Sequence, residues 1–123
     1  MEVAVSDINI NKIEKSIKNR KNLHSSFLKN VKTYRPLLEL ENKAFNDGAL
    51  NKKTKELMAL SISIVTKCEP CMEWHLDQAM KAGATDEEIY ETIDVAIEMG
   101  GGQALAYSRF VLNALEYFKG KIE

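Results

Sequence analysis

Several things are scarce in this chain. It has two cysteines, two histidines and two prolines, and its formal net charge is only −1. The near-zero charge removes any strong case for nucleic acid or an anionic membrane surface, both of which reward a basic face. The N-terminal stretch MEVAVSDINI lacks a basic leader followed by an apolar segment, so no secretory signal is predicted. No apolar run approaches the roughly 18 residues that span a bilayer; the longest, LMALSISIV at 57–65, contains two serines. We therefore expect a cytoplasmic protein with no membrane partner. In a reducing compartment a cysteine pair is more often catalytic or metal-binding than a permanent crosslink.

What is present is a globular composition. Apolar residues make up 45% and charged residues 28% of 123 residues, which fits a single soluble domain able to fold without disulfide staples. The apolar spacing is helical almost throughout. Ile10, Ile13 and Ile17 recur at three and four residues, and so do Leu23, Phe27 and Val31. Pro36 suits a first helical turn, with Gly48 as the stop. A dense apolar helix is predicted from Thr54 to Val65, another from Pro70 to Gly83, and a third behind the capping-box pattern TDEE at 85–88. GGG at 100–102 breaks that helix, and a last one runs from about Gln103 to Phe118. No segment alternates as a strand would. The expected fold is all-α, a single-domain bundle of six or seven helices over residues 1–123, with the lysine- and asparagine-rich N-terminal third as an exposed helical hairpin.

The chemistry concentrates in KCEPCMEWH, residues 67–75, which holds both cysteines and one histidine. With Pro70 opening a helix, Cys71 sits in the first turn and Cys68 just outside it. The positive end of a helix stabilises a nearby thiolate, and C-x-x-C settings lower a cysteine pKa from about 8.5 into the range of about 3.5–7.5. His75 lies four residues after Cys71, on the same helix face, where an imidazole can take the thiol proton near neutral pH. Glu56 is the candidate carboxylate behind it. It lies twelve residues before Cys68, about 18 Å along a straight helix, so contact with His75 requires crossed helices or a bridging water. Glu73 points elsewhere on the helix and is left out of the set. His24 is read as a surface or interface histidine. Trp74 and the methionines at 58, 72, 80 and 99 are read as core before pocket.

Glu56, Cys68, Cys71 and His75 spell E-x11-C-x-x-C-x-x-x-H. This resembles the signature of the AhpD-like alkylhydroperoxidases of the carboxymuconolactone decarboxylase superfamily. The likeness covers about residues 49–115, with the helices at 7–47 carrying little of it. The resemblance implies a dithiol that cycles to a disulfide and a proton relay from Glu56 through His75 to Cys71. It also implies a homo-oligomer, a trimer or hexamer. One position departs: better-studied peroxidase members carry a histidine between the cysteines, where this chain has Pro70 and so lacks that supporting proton donor. The expected activity is thiol-dependent peroxidase or disulfide oxidoreductase chemistry, with antioxidant defence as its use. The substrate is a peroxide or disulfide, and Cys68, outside the helix, meets it or the reductant's sulfur. No flavin, haem or nicotinamide motif is visible, so no cofactor is expected and an external thiol or redox partner protein supplies electrons. Three other readings stand beside this one: a zinc half-site, a carboxymuconolactone-type decarboxylase acting on a small acid, and a non-catalytic helical assembly module.

Overall fold

We describe residues 7–122 of a computed structural model; residues 1–6, part of the stretch that lacks a signal pattern, lie outside them. Among the described residues there are five helices and no strand: α1 (Asp7–Asn30), α2 (Tyr34–Phe45), α3 (Lys52–Val65), α4 (Glu69–Lys81) and α5 (Asp86–Ile122). The all-α expectation holds. Five helical elements stand where six or seven helices are expected, and the last of them is itself two helices. The difference from seven has one cause. No glycine or proline separates Ile17 from Leu23, so the two N-terminal apolar groups lie on one uninterrupted 24-residue helix. The GGG stretch does break the last element, as the sequence predicts: α5 is two helices that meet at a kink at Gly101, whose φ of 68° and ψ of −150° only glycine adopts at low cost.

α3 is the centre of the molecule, packed chiefly against α4 and α5. Its apolar residues at four-residue spacing, Leu60 and Ile64, are fully buried. They meet Met72, Leu76 and Ala79 of α4 and Ile89, Ile93, Ala96 and Val111 of α5. Each large side chain in this set stabilises the fold by about 1.5–3 kcal/mol through burial. Gly100 leaves no room for a side chain: a Cβ there would stand 2.8 Å from the Ala104 Cβ and 3.4 Å from the Val65 Cγ2.

Only the first half of α1 joins this core, through buried Ile13 with Ile10 and Ile17 packed beside it. Its second half stands away from the core, with Leu23 and Phe27 exposed, and Phe27 stacks on Tyr34 of α2 at 5.1 Å between ring centroids. The N-terminal hairpin is thus exposed only in part. Among the described residues, no helix is long and apolar enough to cross a membrane.

The turns that join the central helices are closed by named hydrogen bonds. α3 ends in a Schellman motif, Cys68 N–H to the Ser63 carbonyl and Lys67 N–H to the Ile64 carbonyl. α4 ends the same way, Ala84 to Ala79 and Gly83 to Met80. In the second motif the left-handed position is Gly83, with φ of 97°; in the first it is Lys67, with φ of 61°. The Thr85–Glu88 capping box forms as the sequence predicts, each residue's backbone N–H donating to the other's side chain, at 2.9 and 3.2 Å. That hydrogen bond from the Thr85 backbone, with Lys53 nearby, holds the Glu88 carboxyl below its usual pKa.

Candidate active site

The tight α3–α4 turn places Cys68 as the N-cap of α4, with Pro70 in the first turn. Cys71 follows within that turn, at the positive end of the helix. The two cysteines are joined as a disulfide, their Cα atoms 5.2 Å apart. His75 lies one turn further along α4.

Reversal of the chain at Cys68 lays α4 back along α3 and brings Glu56 to His75. The Glu56 Oε1 and the His75 Nδ1 are 2.7 Å apart, so the contact is direct. Glu56 is almost wholly buried, its side chain 3% exposed, while that of His75 is 15% exposed. The carboxylate can only accept from this partner, which assigns the ring proton to Nδ1 and leaves Nε2 as a base. The other carboxylate oxygen takes a 3.3 Å hydrogen bond from the Lys52 ammonium. Phe45 of α2 stacks on the imidazole, 5.3 Å between centroids and 24° between planes. The ring is therefore fixed at its edge by Glu56 and on its face by Phe45.

Cys71 and His75 open together into a cavity of about 640 Å³. Pro70 and Trp74 of α4 complete that wall, and α1 and α2 supply the other, with Arg20, His24, Tyr34 and Leu37 among its residues. Cys71 lines this cavity and Cys68 does not. Trp74 is held in place from two sides. Its indole N–H donates to Glu41 at 3.1 Å, and the Arg20 guanidinium lies 4.7 Å from its ring centroid.

All four sequence-derived residues, Glu56, Cys68, Cys71 and His75, are thus gathered at one place. Others emerge only from the fold. Lys52, Phe45, Arg20 and Glu41 touch the site or its wall from three different helices, and no local motif marks them. His24 is exposed, as the sequence suggests, but it bonds the Tyr34 hydroxyl at 2.7 Å and lines the same cavity as Cys71. Trp74 is half-buried and belongs to the pocket; of the methionines, Met72 is core while Met58 and Met99 are exposed. Glu73 is fully buried on the opposite face of α4, where it pairs with Arg20 and accepts from Ser16 at 3.3 Å. Burial pushes its carboxyl above the ordinary glutamate value, against the pull of Arg20.

Residues 32–114 match the sequence profile of the carboxymuconolactone decarboxylase family. The chain belongs to this family. It is 43% identical, over 83 residues, to uncharacterised protein 4 of the cox locus of Paracoccus denitrificans, covering 68% of this chain and 75% of that one. Among solved structures it is similar to a family member from Legionella pneumophila, at 35% identity and a TM-score of 0.83, covering 88% of this chain and 97% of that one. It is also similar to a Thermotoga maritima family protein that is suggested to be involved in antioxidative response. That likeness has 31% identity and a TM-score of 0.79, covering 86% of this chain and 91% of that one.

Proposed function

We propose that this member of the family is a thiol-dependent oxidoreductase, a peroxidase or disulfide oxidoreductase serving antioxidant defence. The observation that carries the reading is the buried Glu56–His75 hydrogen bond, set on the helix that presents Cys71 to the same cavity as the imidazole. A relay of this kind gives a thiol its reactive form. A C-x-x-C disulfide with no such base beside it would read as a structural link.

The working cycle starts from the dithiol. His75 takes the Cys71 proton at Nε2 while Nδ1–H stays on Glu56. The thiolate attacks the outer peroxide oxygen, the O–O bond breaks, and the leaving alkoxide takes the proton back from His75. The resulting sulfenic acid condenses with the Cys68 thiol, water leaves, and the disulfide forms. An external dithiol then reduces Cys68–Cys71 by exchange. Because Cys71 lines the cavity and Cys68 does not, we assign the substrate-facing place to Cys71, in place of the expected Cys68, and assign to Cys68 the resolving step and the meeting with the reductant. We also propose that the chain works as a homo-oligomer, a trimer or hexamer. Met58, Ile62 and Val65 of α3 and Val95, Met99 and Leu105 of α5 are exposed apolar residues, more than one small monomer usually leaves uncovered.

The test is a panel of alkyl hydroperoxides and small disulfides with several dithiol reductants, run on the native chain and on Cys68→Ser, Cys71→Ser and His75→Ala. Turnover should disappear in both serine variants and fall about a hundredfold without the histidine. Turnover of a small acid that survives both serine substitutions would move the assignment to decarboxylation.

A further inference from the structure

A second cavity, of about 350 Å³, lies on the other side of the relay. It is bounded by α2, α3 and α4, and its lining includes Asn42, Phe45, Lys52, Glu56 and Gln78. Neither cysteine lines it, and His75 does not either. Leu38, Glu41 and Trp74 line both cavities, so the Trp74–Glu41 hydrogen bond forms the partition between them. Phe45, stacked on the imidazole, shields His75 from this side and leaves Glu56 as the member of the relay that meets the second space. Lys52, 45% exposed, reaches from solvent to the buried Glu56 oxygen.

The geometry points to a relay with two openings. We infer that the thiol end opens to the substrate cavity, while the carboxylate end exchanges protons with solvent through the second cavity, beside Lys52. This deepens the redox reading, and its purpose there is specific. A substrate seated against Cys71 closes the first opening. The second keeps the imidazole in equilibrium with bulk protons during that time. Each exchange event is balanced: once His75 is an imidazolium, protonated at Nε2, its Nδ1 proton passes to the Glu56 carboxylate, leaving a neutral ring with the proton on Nε2, and then to water or a small buffer anion, and a proton returns by the same path. Lys52 is a positioning residue in this arrangement, holding the carboxyl group at the cavity mouth through its 3.3 Å hydrogen bond. The same ammonium gives the space an affinity for a small carboxylate, once the side chain of Glu56 is cut away.

The experiment has two parts. The first follows exchange of the His75 Nδ1 proton with solvent by NMR, in the native chain, in Gln78→Trp, which fills the second cavity, and in Lys21→Trp, at a residue that lines the first cavity. We expect Gln78→Trp to slow exchange at least tenfold and Lys21→Trp to leave it within a factor of two. The reverse pattern, or equal slowing by both, overturns the proposal. This readout needs no turnover, so it stands or falls apart from the redox assignment. The second part uses Glu56→Ala with formate as the probe, following alkylation of Cys71 in the reduced protein. Formate should restore the rate in a saturable way, and adding Gln78→Trp should abolish the rescue. Rescue that survives Gln78→Trp, or no rescue in a variant that keeps its helicity, refutes the second opening. If Glu56→Ala fails to fold, the exchange measurement decides alone.

Discussion

Glu56 and His75 stand nineteen positions apart in the chain, yet Oε1 of one lies 2.7 Å from Nδ1 of the other, with the carboxylate almost wholly buried. A hydrogen bond to a carboxylate in such surroundings is stronger than the same bond in solvent. It fixes the ring's tautomer and aims Nε2 away from Glu56. Glu56→Gln keeps the shape but removes the charge that supports an imidazolium. Turnover should fall in this variant, though less than in His75→Ala, because Glu56 acts through the histidine. Equal losses would mean that Glu56 does more than orient the ring.

The cysteine pair should respond to mild oxidant as a closed unit. Intact mass should show the loss of two hydrogens per chain, reversed by dithiothreitol, without chain-to-chain crosslinks. The 5.2 Å between the two Cα atoms allows the bond within one turn. Linked dimers as the main product would contradict the proposed resolving role of Cys68.

Arg20 and Glu73 provide a test in pH. Burial raises the Glu73 carboxyl above its ordinary 4.5, while Arg20 and Ser16 pull it down and Asp77 adds a smaller upward push. A carboxyl whose folded value is raised holds its proton more tightly when folded. The fold therefore has that advantage below about pH 4.5 and loses it as pH rises toward the folded value. Arg20→Met removes the main opposing pull and strands a buried carboxylate. At pH 7 it should cost about 2–3 kcal/mol, below the 3–5 kcal/mol for pairs buried at both ends, since Arg20 is about one-third exposed. Near pH 4 most of that loss should vanish as Glu73 protonates. Urea denaturation at the two pH values reads the difference, and an equal loss at both would show that Arg20 acts by packing on Trp74 instead.

Lys67 occupies the left-handed position that closes α3, where Gly83 occupies the equivalent position of α4. An L side chain there costs about 1 kcal/mol. Lys67→Gly should therefore be neutral to stabilising by up to about 1 kcal/mol, seen as an unchanged or raised Tm. A clear drop would show that the lysine side chain makes a contribution beyond its backbone geometry.

The exposed apolar faces of α3 and α5 predict self-association. Sedimentation at micromolar concentration should show a trimer or hexamer, and Ile62→Glu, at a residue 61% exposed in the single chain, should shift it toward monomer. A native chain that sediments as a monomer would contradict this.

Much of the site was legible because its parts are local. Cys68, Cys71 and His75 fall within eight residues on one helix end, and helical spacing alone puts the last two on a common face. The capping box at Thr85 was legible for the same reason. Glu56 could be named but not placed: spacing along a straight helix sets it far from His75, and only the reversal at Cys68 closes the gap. Lys52, Phe45 and Arg20 reach the site from separate helices, so nothing in their neighbourhood in sequence marks them. Glu73 was set aside for lying off the His75 face. That placement is right, but the other face of α4 is the core, and a charge there requires a partner that only α1 supplies. The two N-terminal apolar groups prove to be one helix, because apolar spacing pauses at 17–23 without a residue that stops a helix.

The central claim is that His75 activates Cys71. The direct measurement is the alkylation rate of Cys71 against pH in Cys68→Ser, with and without His75→Ala. With the histidine, Cys71 should react well below the pH at which an ordinary thiol does, and its loss should lower the rate at pH 7 about tenfold and move the profile to higher pH. A Cys71 profile that does not change when His75 is removed would contradict the relay.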